Sequence, residues 1–280
     1  MDAIQVSPGS YFVPFLSWLN INFHGLFAEV AIFFDALIRA IVHVFTFFSG
    51  QTTILIIAFL IMFLSGWRSA LVWSIGMLIC LSLGMWEATV PTLAIILLSV
   101  IFSVIVGVPM GVLISKNKFL RIAIQPILDM MQTLPPWVYL VPAVILYGLG
   151  VVPALISTVI YGVPPLIRLT ILAMTQIPEN RIELGSAIGA TERTIFWKIK
   201  LPSAMPTLLI GINQCVLFSL GMVVLAGLVG AGGLGSEVTR GLSRMEFGLG
   251  MRASLAIVIL AVVLDRVFRN AIPKKYLIKS

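Results

Sequence analysis

Few residues in this chain have the types and spacing to do chemistry, and most of them lie in residues 183–202, ELGSAIGATERTIFWKIKLP. A carboxylate, Glu183, is followed by Gly189, and Ile199, Leu201 and Pro202 close the stretch. Residues 179–188 predict one polar-faced helical piece, with Gly189 as a left-handed residue beyond its end and Thr191 as the cap of a second piece. Pro202 predicts the end of that second piece, just before a long apolar segment. The chemistry on offer is presentation of a charged group on a compact elbow between two membrane helices.

Other candidates lie inside apolar segments. Asp129 is the one carboxylate placed within a span, and such a carboxylate is a functional candidate by default. Its nearness to Arg121 and to the end of the segment equally fits an ion-paired or water-exposed role. Pro135 and Pro136 fall near the centre of one span, with Pro142 beyond them, and Pro164–Pro165 interrupts the next. Each removes a backbone hydrogen bond, so the freed carbonyls must face protein or water. Broken helices of this kind line transport pathways or are structural kinks. Trp137 and Tyr139 follow the first break and Tyr147 lies further on; aromatic faces attract quaternary ammonium by about 0.5–2 kcal/mol, although packing is the commoner role.

Catalysis and metal binding find no support. His24 and His43 sit in the N-terminal segment without ligand partners, and no Ser-His-Asp set or carboxylate pair stands out. Cys80 and Cys215 lie in apolar segments without partner spacing. Asp265, beside Arg266, reads as an ion-paired residue at a span end. The glycine run at Gly227, Gly230, Gly232, Gly233 and Gly235 is not a phosphate loop, because no Lys-Ser or Lys-Thr follows. A tight turn or close helix packing is expected there.

The elements that position these residues follow from composition. The chain is 60% hydrophobic and only 10% charged, with a mean hydropathy of +1.10. Those values exclude an ordinary soluble domain and predict an all-α polytopic membrane bundle; continuous apolar runs argue against a β-barrel. Apolar segments cover about 51–66, 69–86, 89–114, 122–149, 151–176, 203–229 and 249–268. Residues 1–22 read as a polar-to-aromatic tail without a cleavable signal peptide. Residues 23–48 carry Asp35, Arg39 and His43 on one helical face, which suits an interfacial helix; the alternative is a span whose stripe faces other helices. With the elbow inside, alternation leaves only Arg39, Arg240, Arg244 and Arg252 of the 18 cations outside. Seven spans, N-out and C-in, are therefore expected in an inner membrane. The net charge of +7 reflects that topology and not nucleic-acid binding. The organisation is an N-terminal tail and interfacial helix over 1–50, a transmembrane domain 51–270 with the elbow at 177–202, and a basic tail 271–280.

The elbow resembles the "EAA" loop of ABC-importer membrane subunits, a Glu-Ala-Ala run, three residues, Gly, nine residues and Ile-x-Leu-Pro. Leu184 and Gly185 stand where that pattern has its two alanines, while Gly189 and Ile199–Pro202 are in register. Residues 129–150, 162–178, 201–214 and 225–235 look like the osmoprotectant importer permeases, which handle glycine betaine, proline betaine and related compounds. The resemblance covers roughly residues 50–270. It implies a fold like the type I importer core, alternating access and no catalysis by this chain. Glu183, Gly185, Ala187, Gly189, Ala190, Thr191, Ile199, Leu201 and Pro202 would couple it to the ATPase. It implies an ATPase pair carrying ATP and Mg, an extracytoplasmic substrate-binding protein and a second copy of the chain, with no cofactor on the chain itself. Pathway lining would fall to Asp129, Pro135, Pro136, Trp137, Tyr139 and Tyr147. The rival readings are an ion-coupled secondary transporter of a small polar solute, which needs coupling carboxylates deep in the bundle, and an intramembrane enzyme, which needs a nucleophile and base at one depth.

Overall fold

A computed structural model describes residues 9–270; the first eight residues and the expected basic tail at 271–280, with Lys274, Lys275 and Lys279, lie outside it. The helices are α1 (Gly9–Thr46), α2 (Gly50–Ser65), α3 (Trp67–Ser82), α4 (Trp86–Ser115), α5 (Lys118–Thr133) and α6 (Trp137–Tyr147). They continue with α7 (Val151–Thr175), α8 (Glu179–Ala187), α9 (Glu192–Ile195), α10 (Leu201–Ala226), α11 (Gly233–Ser243) and α12 (Phe247–Asn270). No strand occurs among the described residues.

α4, α7 and α10 form the centre, and α12 joins them beside α3 and α11. Small residues set the spacing: Gly107 faces Leu166, Gly111 faces Thr170 and Gly162 faces Cys215. Where lipid supplies no hydrophobic drive between helices, such close backbone approach is what holds a bundle together. Hydroxyl groups buried there find partners within the protein. Ser99 Oγ donates to Ser219 Oγ at 3.2 Å, and Ser103 Oγ donates to the Val159 carbonyl at 3.3 Å. Large apolar side chains such as Phe59, Phe63, Val258 and Val262 remain exposed on the outside, where acyl chains would meet them.

Four stretches are by themselves long and apolar enough to cross a membrane: α4, α7, the run from Glu192 to Val229, and α12. Two bent pairs, α1–α2 at 100° and α5–α6 at 88°, raise the number to six if each counts as one span. α3, with 16 residues, is only about 24 Å long and falls short of a hydrocarbon core of about 30 Å.

Three expectations need correction. Residues 9–22 are not a tail but the first part of α1, which kinks at Phe23 (φ −118°, ψ 22°). A tertiary contact fastens that part, since Asn20 Nδ2 donates to the Ile145 carbonyl at 2.9 Å. Pro164–Pro165 does not interrupt its span; α7 runs unbroken from Val151 to Thr175. Both prolines are buried in the centre of the bundle, and packing against the neighbouring helices holds α7 through the lost hydrogen bonds. Pro202 does not end a helix either. Phe196–Lys200 forms a π-helical turn, and the Leu201 N–H reaches back to the Phe196 carbonyl. That one-residue shift lets the chain stay helical from α9 into α10 despite the missing proline donor.

Candidate functional site

The elbow is built by local hydrogen bonding. α8 ends in a full Schellman turn: the Gly189 N–H donates to the Ser186 carbonyl and the Ala190 N–H to the Gly185 carbonyl, both at 3.0 Å. Gly189 has φ 77°, the left-handed conformation that this turn requires. Thr191 then caps α9, its Oγ1 accepting from the Thr194 N–H at 3.3 Å. These three features stand where the spacing predicts them.

Gly185, which departs from the alanine pattern, has a packing reason. A Cβ there would come within 2.7 Å of Ile199 Cδ1 and 3.2 Å of Ile195 Cγ1. The glycine lets α8 lie directly on the turn that leads into α10. Arg181 Nη1 adds a contact to Ser203 Oγ at 3.4 Å. Ala187 is exposed, Ala190 is half-buried, and Leu201 and Pro202 carry the turn into α10.

What the elbow presents outward differs from a purely polar surface. Glu183 is exposed and makes no hydrogen bond or ion pair among the described residues. Leu184 and Ile188, one turn apart, are 69% and 78% exposed. Two bare apolar side chains beside an unpaired carboxylate form an exposed patch of the kind that protein grooves take up. At its base Lys116, Ser186, Glu192, Arg193 and Lys200 surround a cleft of about 640 Å³. Leu184 and Ile188 were discoverable in the sequence as an apolar i,i+4 pair at the end of a mostly polar helix.

The pathway candidates do not all come together. Asp129 pairs with Arg168 on α7, and not with Arg121; both side chains of the pair are about half exposed. Pro135 and Pro136 mark the break between α5 and α6. Tyr139 closes that break by donating its hydroxyl to the Met131 carbonyl, whose usual helical donor is lost at Pro135. Its ring meets Tyr161 on α7, centroids 5.7 Å apart, and Tyr161 meets Phe218 on α10 at 5.1 Å. Neither partner stood out by spacing. Trp137 is exposed at the start of α6, while Tyr147 packs edge-on against Phe27 of α1 at 5.4 Å. Tyr147 is thus tied to α1 and away from the Tyr139 cluster.

At the other end of α10 the glycine run both packs and turns. A Cβ on Gly227 would lie 2.2 Å from the Gly235 backbone, and Gly230, Gly232 and Gly233 have φ of 70–78°. The stripe on α1 faces this turn: Asp35, Arg39 and His43 line a cleft with Pro91, Val151 and Gly230–Gly232. Asp35 and Arg39 are paired at 2.7 Å, as the i,i+4 spacing allows.

Comparison with known proteins agrees with this architecture. Residues 103–273 match the family described as binding-protein-dependent transport system inner membrane component. The glycine betaine transport system permease protein OpuAB of Bacillus subtilis is 41% identical over 261 residues, covering 93% of each chain. The glycine betaine/proline betaine transport system permease protein ProW of Escherichia coli is 35% identical, covering 90% of this chain and 71% of that one. Among solved structures, the MetNI methionine ABC transporter in an inward-facing conformation superposes with a TM-score of 0.57 at 26% identity. That match covers 65% of this chain and 93% of the transporter chain. A multi-pass helical bundle with a capped polar elbow, matched over these lengths, belongs to the family of binding-protein-dependent transport system inner-membrane components.

Proposed function

We propose that this chain is the permease subunit of an ATP-driven importer for glycine betaine or a related quaternary-ammonium osmolyte. The observation that carries the substrate class is the match to a glycine betaine permease along 93% of both chains. Hydrolysis belongs to a separate ATPase pair, which holds ATP and Mg. Solute is delivered by an extracytoplasmic binding protein, and two copies of this chain enclose the pathway about a two-fold axis.

The elbow is the coupling element. Glu183, Leu184 and Ile188 insert into a groove of the ATPase, and Gly189 with its turn fixes how they are presented. Because α9, the π turn and α10 run on as one helix, a push on the elbow moves Leu201, Pro202 and α10 together. Closure of the ATPase pair then opens the bundle outward by alternating access. The remaining pathway residues, Asp129, Pro135, Pro136, Trp137, Tyr139 and Tyr147, belong to or support the walls of that opening.

The ion-coupled reading rests on Asp129, and the pair with Arg168 favours a structural role for it. The test is uptake of labelled glycine betaine by proteoliposomes holding permease, ATPase and binding protein. Accumulation should require ATP and the binding protein. Accumulation driven by a proton or sodium gradient alone would overturn the proposal.

A further inference from the structure

The cluster of Tyr139, Tyr161 and Phe218 is the feature that coupling leaves unexplained. The three residues come from α6, α7 and α10: Tyr139 just past the α5–α6 break, Tyr161 near the middle of α7 and Phe218 in the second half of α10. Their rings are inclined to one another, at 50° for Tyr139–Tyr161 and 47° for Tyr161–Phe218, so neither pair is spent on face-to-face stacking. All three are partly exposed in the single chain. Tyr139 uses its hydroxyl on the Met131 carbonyl, which fixes the ring.

The polar surroundings favour a cation. Pro164 and Pro165 cannot donate to the Ile160 and Tyr161 carbonyls, so the backbone beside Tyr161 keeps oxygen acceptors short of their usual donors. Gln214 lies one turn before Phe218 on the same face of α10 and is exposed at mid-helix. A mid-span amide there must face water or protein and not acyl chains. α6, α7 and α10 contain no Asp or Glu.

A quaternary ammonium has no N–H to donate, so ring faces and oxygen dipoles are what can recognise it. A carboxylate at the same place would hold the cation too firmly for passage, since conduction needs sites that are entered and left. We propose that Tyr139, Tyr161 and Phe218, with the Gln214 amide beside them, form an intramembrane station that takes the quaternary-ammonium group during translocation. It rests on the betaine-importer reading and adds a second point of selection after the binding protein.

The test compares wild type with Tyr161→Leu, Phe218→Leu and Tyr161→Phe in proteoliposomes with the ATPase and a saturating betaine-loaded binding protein. Each leucine keeps apolar bulk and removes a ring face. Leucine variants should lose about 5- to 30-fold in uptake rate while binding-protein-stimulated ATP hydrolysis continues, and Tyr161→Phe should stay near wild type. Unchanged uptake in the leucine variants would overturn the station alone, leaving the importer reading intact. Parallel loss of uptake and hydrolysis would assign the rings to packing and overturn it equally. A wild-type complex that hydrolyses ATP but accumulates no betaine would overturn the substrate reading, and the station with it.

Discussion

Gly189 and Glu183 act through different physics, which substitutions can separate. Gly189 sits at φ 77° with nothing within 4 Å of a built Cβ, so a side chain there meets strain in the backbone and not a clash. Gly189→Val should cost about 1–3 kcal/mol of local strain and unwind the Schellman turn. Gly189→Asn, which tolerates the left-handed region, should recover most of the function. Glu183 has no partner within the described chain, so Glu183→Ala should change stability by less than about 0.5 kcal/mol. Both Gly189→Val and Glu183→Ala should insert normally yet bind the ATPase more weakly or hydrolyse ATP without uptake. Uptake and hydrolysis measured together, beside a variant in a distant loop, check this; normal coupling in both would remove the elbow from the mechanism.

If the elbow couples as proposed, the packing of α8 on the π turn is what would make it a lever and not a tether. Gly185→Leu would drive a side chain into Ile199 and Ile195, an overpacking cost of about 1–3 kcal/mol. Hydrogen exchange should then quicken in α8 while α10 keeps its protection, and coupling should fall. Unchanged exchange in α8 would mean that this contact is dispensable. The same element shows what sequence can and cannot convey. The Thr191 cap and the Gly189 turn were legible because each is decided by residues within one or two turns. The Pro202 stop was not, because a π turn relieves the proline by borrowing a residue from the preceding helix. Pro164–Pro165 misled for a related reason: whether proline breaks a helix depends on neighbours that hold it straight, here α4 and α10. Tyr161 and Phe218 could not be joined to Tyr139 by any spacing, since only the packing of three helices brings their rings together.

At the scale of the molecule the bundle was legible from composition, whereas the number of crossings is obscured by the bent pairs and the short α3. The first part of α1 escaped because its anchor, the Asn20–Ile145 contact, joins residues 125 apart in sequence. Orientation is a prediction from charge that two positions can test: Lys198 lies in the π turn before α10, and Arg244 follows α11, past the glycine turn at the far end of α10. Both side chains are exposed, so cysteines placed there are accessible to reagent from whichever side they face. The excess of Lys and Arg around the elbow predicts that Lys198 faces the cytoplasm. In a background with Cys80 and Cys215 replaced, an impermeant thiol reagent on intact cells should label Arg244→Cys and spare Lys198→Cys. Breaking the cells should expose the second site as well. Labelling at 198 in intact cells would invert the topology, and an elbow outside the membrane could not meet a cytoplasmic ATPase.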